Sequence, residues 1–163
     1  MKDKQFGVGD LRQVINSVEI KVFMIFPPVI LNHNEDFHKV ETILREKKIK
    51  HLPIVNDDEQ LVGLITLSDL YRTCSPRRRF EDGSFFYDKS QLDSFILKNV
   101  MTKNPFTLKE KNTLKDALDV MVRGGFGCIP VVDDNRNIKG IVTQTDIIRI
   151  VTVILGIHSS VKK

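Results

Sequence analysis

Two short strings in the 163-residue chain carry side chains suited to holding a ligand: Gly63-Leu64-Ile65-Thr66-Leu67-Ser68-Asp69 and Gly140-Ile141-Val142-Thr143-Gln144-Thr145-Asp146. In each, apolar residues that read as a strand run into a threonine, and an aspartate follows three residues later. A threonine at a strand-to-helix turn stands where unsatisfied N–H groups and the helix dipole favour a phosphate, and its hydroxyl adds a donor. Asp69 and Asp146 fall on the same helix face one turn on. Carboxylates there are able to accept hydrogen bonds from both ribose hydroxyls, as the acidic residue of dinucleotide folds does. The same spacing is also a capping box that satisfies its own backbone. Arg72 and Arg149, three residues after each aspartate, are placed to pair with the carboxylates instead.

The elements that position these residues occur twice. A shift of 77 positions lays Met24 on Met101, Pro28 on Pro105, Leu31 on Leu108, Pro53 on Pro130, Val55 on Val132 and Asp57 on Asp134. It continues without a gap through Gly63 and Gly140, Thr66 and Thr143, Asp69 and Asp146, Arg72 and Arg149. Each copy predicts a short extended piece (Val29–Leu31; Phe106–Leu108), then a helix with apolar residues at helical spacing. Phe37, Val40, Ile43 and Leu44 form that stripe in the first copy, and Leu114, Ala117, Leu118 and Met121 in the second. Thr113 with Asp116 has capping-box spacing, and Gly124-Gly125 supplies a left-handed stop. Two strands follow, His51–Val55 and Leu61–Thr66, then Cys128–Val132 and Ile138–Thr143, joined by the polar turns Asn56–Glu59 and Asp133–Arg136. A second helix runs from Leu67 to about Thr73, and from Gln144 to about Leu155 before Gly156. The fold class is α/β (α+β), built from two βαββα repeats. The lead-in segments repeat as well, so each copy is expected to carry its own preceding helix. The domains read as residues 1–73, a linker at 74–90, and residues 91–163. A unit of this size buries little surface alone, so the repeats are expected to pack through their sheets with pseudo-twofold symmetry, leaving equivalent clefts between them.

Composition limits the alternatives. Hydrophobic residues make up 41% and charged residues 28%, which fits an ordinary folded domain and argues against disorder. The formal net charge of +4 is too small to imply nucleic acid without a clustered patch. Cys74 and Cys128 are too few for a disulfide framework or a four-ligand zinc site, and the four histidines, His33, His38, His51 and His158, lack metal-ligand spacing. No P-loop, Ser-His-Asp order or paired acid motif occurs, so no enzyme activity and no metal are expected. The charged start and the Arg149-interrupted apolar zone Ile147–Ile157 predict no signal peptide or membrane span, and a cytoplasmic protein.

The strings His51-Leu52-Pro53-Ile54-Val55-Asn56-Asp57 and Cys128-Ile129-Pro130-Val131-Val132-Asp133-Asp134, each followed by its Gly-x-x-Thr-x-x-Asp, resemble the tandem CBS-domain pair, or Bateman module. Val100-Met101-Thr102 is similar to the usual opening of such a repeat. The resemblance covers residues 11 to about 155. It implies a stand-alone regulatory module that binds an adenosine-containing ligand such as AMP, ADP, ATP or S-adenosylmethionine in its clefts, forms homodimers and acts on a partner protein. No cofactor is required beyond that regulatory adenine nucleotide.

Carried onto this chain, the candidate ligand-binding residues are Thr107, Gly127, Cys128, Ile129, Pro130, Thr143 and Asp146 in the second copy. Their first-copy counterparts are His51, Leu52, Pro53, Thr66 and Asp69. The strand edges at Leu52-Pro53 and Ile129-Pro130 are expected to form the apolar slot for adenine. The second copy is expected to be the better site, because Gly124-Gly125-Phe126-Gly127 permits close approach to a ligand where the first copy has Lys47-Lys48-Ile49-Lys50. Cys128 reads as a buried small residue rather than a reactive thiol. Two other readings stay open. Both Thr-x-x-Asp strings are caps in a ligand-free docking protein, or the linker Arg77-Arg78-Arg79-Phe80 with Phe85-Phe86-Tyr87 binds single-stranded nucleic acid through cations and aromatic stacking.

Overall fold

The computed structural model describes residues 8–73, 78–79, 85–86 and 97–157. In the first repeat, strand β1 (Leu31–Asn32) leads into helix α2 (Phe37–Glu46), strands β2 (His51–Val55) and β3 (Leu61–Thr66), and helix α3 (Leu67–Thr73). In the second, helix α5 (Leu114–Gly124) is followed by β7 (Cys128–Val132), β8 (Ile138–Thr143) and α6 (Gln144–Ile154). Six further elements lie outside this pattern: α1 (Val8–Ser17), a 3-10 turn at Ile20–Val22, the short pair β4 (Arg78–Arg79) and β5 (Phe85–Phe86), helix α4 (Leu97–Val100), and β6 (Thr102–Lys103). All four long strands have the bounds their sequence predicts, and the repeat is βαββα as expected. The extended piece of the second copy is reduced to a parallel bridge from Leu108 to Val131.

Local chemistry explains the helix limits. At the start of α5, the Thr113 N–H donates to Asp116 Oδ2 at 2.8 Å and the Asp116 N–H donates back to Thr113 Oγ1 at 3.3 Å, a complete capping box. The helix stops at Gly125, whose φ of 64° is left-handed. The equivalent stop after α2 uses Lys48 at φ 53°. Leu114, Ala117 and Met121 are buried along one face of α5, as Phe37, Val40 and Leu44 are along α2.

The chain divides into two compact units, and here the structure departs from the domain boundaries read along the sequence. One unit joins Met1–Pro27 to Phe106–Asp133 and Lys139–Lys163; the other joins Pro28–Pro105 to Asp134–Ile138. The lead-in of the first repeat therefore belongs with the second repeat, and the lead-in of the second with the first. This corrects the expectation that each copy keeps its own preceding helix.

In the second-repeat unit, the Ile20 N–H donates to the Asn112 carbonyl at 2.8 Å, and the Leu114 N–H donates to the Val18 carbonyl at 2.8 Å. Ile20 is fully buried in a core with Leu114, Ala117, Ile129, Val131 and Val142. Burial of such a side chain stabilises by roughly 1.5–3 kcal/mol. Ile25 exchanges two backbone hydrogen bonds with Ile141. The preceding Met24 lies over Gly140, where an added Cβ would sit 2.6 Å from the Met24 sulfur.

The first-repeat unit has the same arrangement from the other lead-in. Its four-stranded sheet has the order β1-β2-β3-β6, with β1 parallel to β2 and the other pairs antiparallel. β6 pairs Gly63 with Lys103 and Leu64 with Thr102, and Met101 lies over Gly63 with its sulfur 2.3 Å from where a Cβ would stand. Leu97 completes a core with Leu31, Phe37, Val40, Leu52, Ile54 and Ile65. The segment Asp134–Ile138 also belongs to this unit. Arg136, at φ 66°, donates from Nε and Nη2 to the Leu61 carbonyl, and Gln60 bridges Asn137.

Candidate functional site

Both Thr-x-x-Asp strings lie where the sequence predicts, at the junction of a buried strand with a helix. In the second repeat Thr143 is the N-cap of α6. Its N–H donates to Asp146 Oδ2 at 2.9 Å and its hydroxyl donates to the same oxygen at 2.6 Å. Asp146 is only 4% exposed. In the first repeat the Thr66 N–H and hydroxyl both donate to Asp69 Oδ2 at 2.8 Å, and the Asp69 N–H donates to Thr66 Oγ1 at 3.2 Å. A buried carboxylate needs such partners to remain charged.

The other carboxylate oxygen distinguishes the copies. Arg72 contacts Asp69 Oδ1 directly, whereas Arg149 Nη1 stands 3.5 Å from Asp146 Oδ1. Both arginines are largely exposed, so each pair contributes little to stability. Asp146 Oδ1 is the less tightly engaged acceptor.

The helix starts are less available to a phosphate than the sequence suggests. The first helical N–H of α6, from Gln144, donates to the Gly127 carbonyl at 3.1 Å, and that of α3, from Leu67, donates to the Lys50 carbonyl at 2.9 Å. These bonds tie the N-terminus of each helix to the residue preceding β7 or β2. They leave the carboxylate, rather than the helix dipole, as the more prominent polar feature.

The remaining candidates divide by burial. Leu52, Pro53, Ile129 and Pro130, the strand residues expected to form the apolar slot for adenine, are buried within β2 and β7. Thr107 and Gly127 are half-buried, and the Leu108 N–H bonds to the Pro130 carbonyl, which sets Thr107 alongside β7. His51 is half-buried opposite Thr66 in the β2–β3 register. Burial, with the charge of Lys50 adding to it, holds its imidazole below the ordinary value. Cys128 is buried at the equivalent position, and desolvation, reinforced by the Asp146 charge, pushes its thiol far up, so it stays neutral. That agrees with its reading as a structural residue.

One feature of this neighbourhood was not singled out from sequence. Phe106 and Phe126 stack, with ring centroids 6.2 Å apart and planes 21° apart. They remain 51% and 39% exposed. The signal available was their place beside two candidate residues, Thr107 and Gly127. Among the linker residues, Arg77, Phe80 and Tyr87 lie outside the described residues, as do Cys74 and His158. The described residues contain no cluster of three or more His, Cys, Asp or Glu able to hold a metal, and no helix long and apolar enough to cross a membrane.

Twin α/β repeats, each opening its last helix on a threonine and a buried aspartate, define a duplicated α/β module. A family model for the CBS domain matches residues 18–75 and 97–153, and the chain belongs to the CBS-domain family. The Methanocaldococcus jannaschii protein MJ1426 is 29% identical over 141 residues, covering 74% of this chain and 84% of that one. The homoserine O-acetyltransferase of Methanohalobium evestigatum is 27% identical over 147 residues; 88% of this chain is covered but only 27% of the longer enzyme. Among solved structures, the CBS-domain pair of protein MJ0100 in complex with 5′-methylthioadenosine and S-adenosyl-L-methionine superposes with a TM-score of 0.68 at 27% identity. That match covers 83% of this chain and 97% of the pair.

Proposed function

We propose that this protein is a regulatory module that binds an adenosyl ligand at Thr143 and Asp146 and transmits occupancy to a partner protein. The observation that carries the reading is the Asp146 carboxylate. It is buried at a strand-to-helix turn, held in place through Oδ2, and less tightly engaged at Oδ1 than its first-repeat counterpart. In this reading Oδ1 accepts from a ribose hydroxyl, Thr107 and Gly127 border the ligand, and Thr66, Asp69 and His51 form the weaker first-repeat counterpart. The similarity to an adenosyl-bound CBS pair supports the ligand class. Binding alters the partner by favouring one conformation over another. The module works as a cytoplasmic homodimer and carries out no catalysis of its own.

A second reading has its own support. Asp69 Oδ2, Asp146 Oδ2 and the first N–H of both helices are already bonded within the chain, as caps in a ligand-free docking protein would be. A thermal-shift panel of AMP, ADP, ATP, S-adenosylmethionine and NAD separates the two. A ligand at 100 times its Kd stabilises the folded state by about 2.7 kcal/mol, and no shift with any of them favours docking. Asp146→Ala is expected to weaken binding at least tenfold while costing about 1 kcal/mol of stability through the lost cap. Unchanged affinity in titration calorimetry overturns the assignment.

A further inference from the structure

We infer that the hairpin of β4 and β5, which falls between the two repeats in the chain, binds single-stranded nucleic acid. The inference goes beyond the proposed adenosyl site and does not rest on it.

The register of the hairpin carries it. Arg78 pairs with Phe86 and Arg79 with Phe85 in an antiparallel ladder. Residues opposite one another across such a ladder share a face and stand about 5 Å apart, while neighbours along a strand alternate between faces. Each face of the hairpin is thereby assigned one arginine and one phenylalanine. The acidic residues of the connecting segment, Glu81 and Asp82, fall outside the ladder.

That pairing selects a partner. Every nucleotide of an unpaired strand offers two chemistries, an anionic phosphate and the open face of a base. A guanidinium recognises phosphate and also stacks on flat rings, and a phenyl ring stacks on any base without regard to sequence. An acidic peptide would engage the arginines and leave both phenylalanines in water, whereas an apolar peptide would strand the charges. A duplex presents its phosphates but keeps its bases paired. A single strand matches both residue types on each face. With a net charge of only +4 over 163 residues, the chain has no large field to add, so affinity rests on this local pairing.

The hairpin is also separable from the repeats. β4 and β5 form a two-stranded sheet of their own, and among the described residues neither strand joins another sheet. Under the 77-residue shift, Arg78 and Arg79 fall on Leu155 and Gly156, so the second repeat carries no copy of the arginine pair.

The test is fluorescence anisotropy of the full chain with a labelled oligothymidylate of about 20 nucleotides, which holds no adenine for the proposed adenosyl site. Binding is expected at about 50 mM salt and should weaken about sevenfold or more by about 200 mM. Combining Arg78→Ala with Arg79→Ala should reduce the slope of log affinity against log salt by about 1.4, from two single-strand phosphate contacts at about 0.7 each. Phe85→Leu and Phe86→Leu should each lower affinity about fivefold or more and leave that slope unchanged. Thermal melts of these variants are expected to match the parent, and Asp146→Ala should bind the oligonucleotide as the parent does. No binding at about 50 mM salt, a parent-like slope in the arginine double variant, or equal affinity for the strand annealed to its complement overturns the inference and leaves the adenosyl reading standing. A chain that binds the oligonucleotide in this way but none of the adenosyl compounds keeps this site and loses the other.

Discussion

At Lys48 and at Gly125 the chain makes the same left-handed turn, with φ of 53° and 64°, yet the two turns serve different surroundings. In the first repeat the turn is flanked by Lys47 and Lys50, its Ile49 folds onto the core, and it delivers a titratable His51 to the start of β2. In the second it is flanked by glycines, its Phe126 stays partly in solvent, and it delivers an uncharged Cys128 to the start of β7. The contrast extends over both units. Apart from Tyr71, every strongly exposed large apolar side chain among the described residues belongs to the second-repeat unit, including Phe26, Val122, Ile148 and Val153. The two repeats share a backbone and differ in chemistry, with the first-repeat unit largely sealed and the second-repeat unit left with exposed apolar surface.

The largest expected effect tests what the copies share. Gly140→Ala places a methyl group 2.6 Å from the Met24 sulfur and 3.1 Å from the Ile25 carbonyl oxygen, and is expected to cost about 1–3 kcal/mol. At Gly63→Ala the nearest atoms all belong to the flexible Met101 side chain, and the substitution is expected to cost less. Urea denaturation of double variants checks the exchange of lead-ins: Met24→Ala should relieve Gly140→Ala but not Gly63→Ala, and Met101→Ala the reverse. Relief of Gly63→Ala by Met24→Ala would break the exchanged pairing.

A smaller difference is expected at the helix starts. Thr113→Ala removes a cap that bonds to Asp116 and should cost about 1 kcal/mol. Asp36, the N-cap of α2, makes no side-chain cap bond, so Asp36→Ala should stay within about 0.5 kcal/mol. Equal losses in the two variants would contradict the difference in capping.

The smallest effect depends on pH. Because the folded state holds His51 below its ordinary value of 6.5, the unfolded chain takes up the proton first. The stability this neutral imidazole permits is complete above that value and is lost as pH falls through it toward the folded pKa. Cys128, uncharged throughout, gives the second repeat no such dependence. His51→Cys is therefore expected to flatten the decline in urea midpoint between about pH 7.5 and about pH 5.5. A slope unchanged in that variant would assign the decline to other groups.

How far the sequence reveals this molecule differs from element to element. The strands from His51, Leu61, Cys128 and Ile138 are legible because each is a bounded apolar run between polar turns, and Thr113 with Asp116 announces a cap through spacing alone. Thr143 and Asp146 are legible for the same reason. The exchange of lead-ins is not, since both repeats keep the same methionine and the same glycine, and identical partners carry no information about which pairs with which. The buried state of Ile129 and Pro130 is hidden for another reason: a strand enclosed on both faces reads like one with an open edge. The Phe106–Phe126 stack depends on a ring folding back over Gly124, a contact set by the absence of a side chain.

The exchanged lead-ins also set an order of assembly. As the chain leaves the ribosome, at roughly 5–20 residues per second, the segment that ends at Met24 emerges before either repeat, yet the surface it covers around Gly140 is made more than a hundred residues later. The first-repeat unit receives Met101 and β6 soon after its own strands, with only the Asp134–Ile138 turn still to come. The lead-in that precedes the first repeat is thus among the last of these segments to find its place, because the core that buries Ile20 is completed by the second repeat. Deleting either repeat together with its lead-in would therefore also remove a segment that completes the other unit's core.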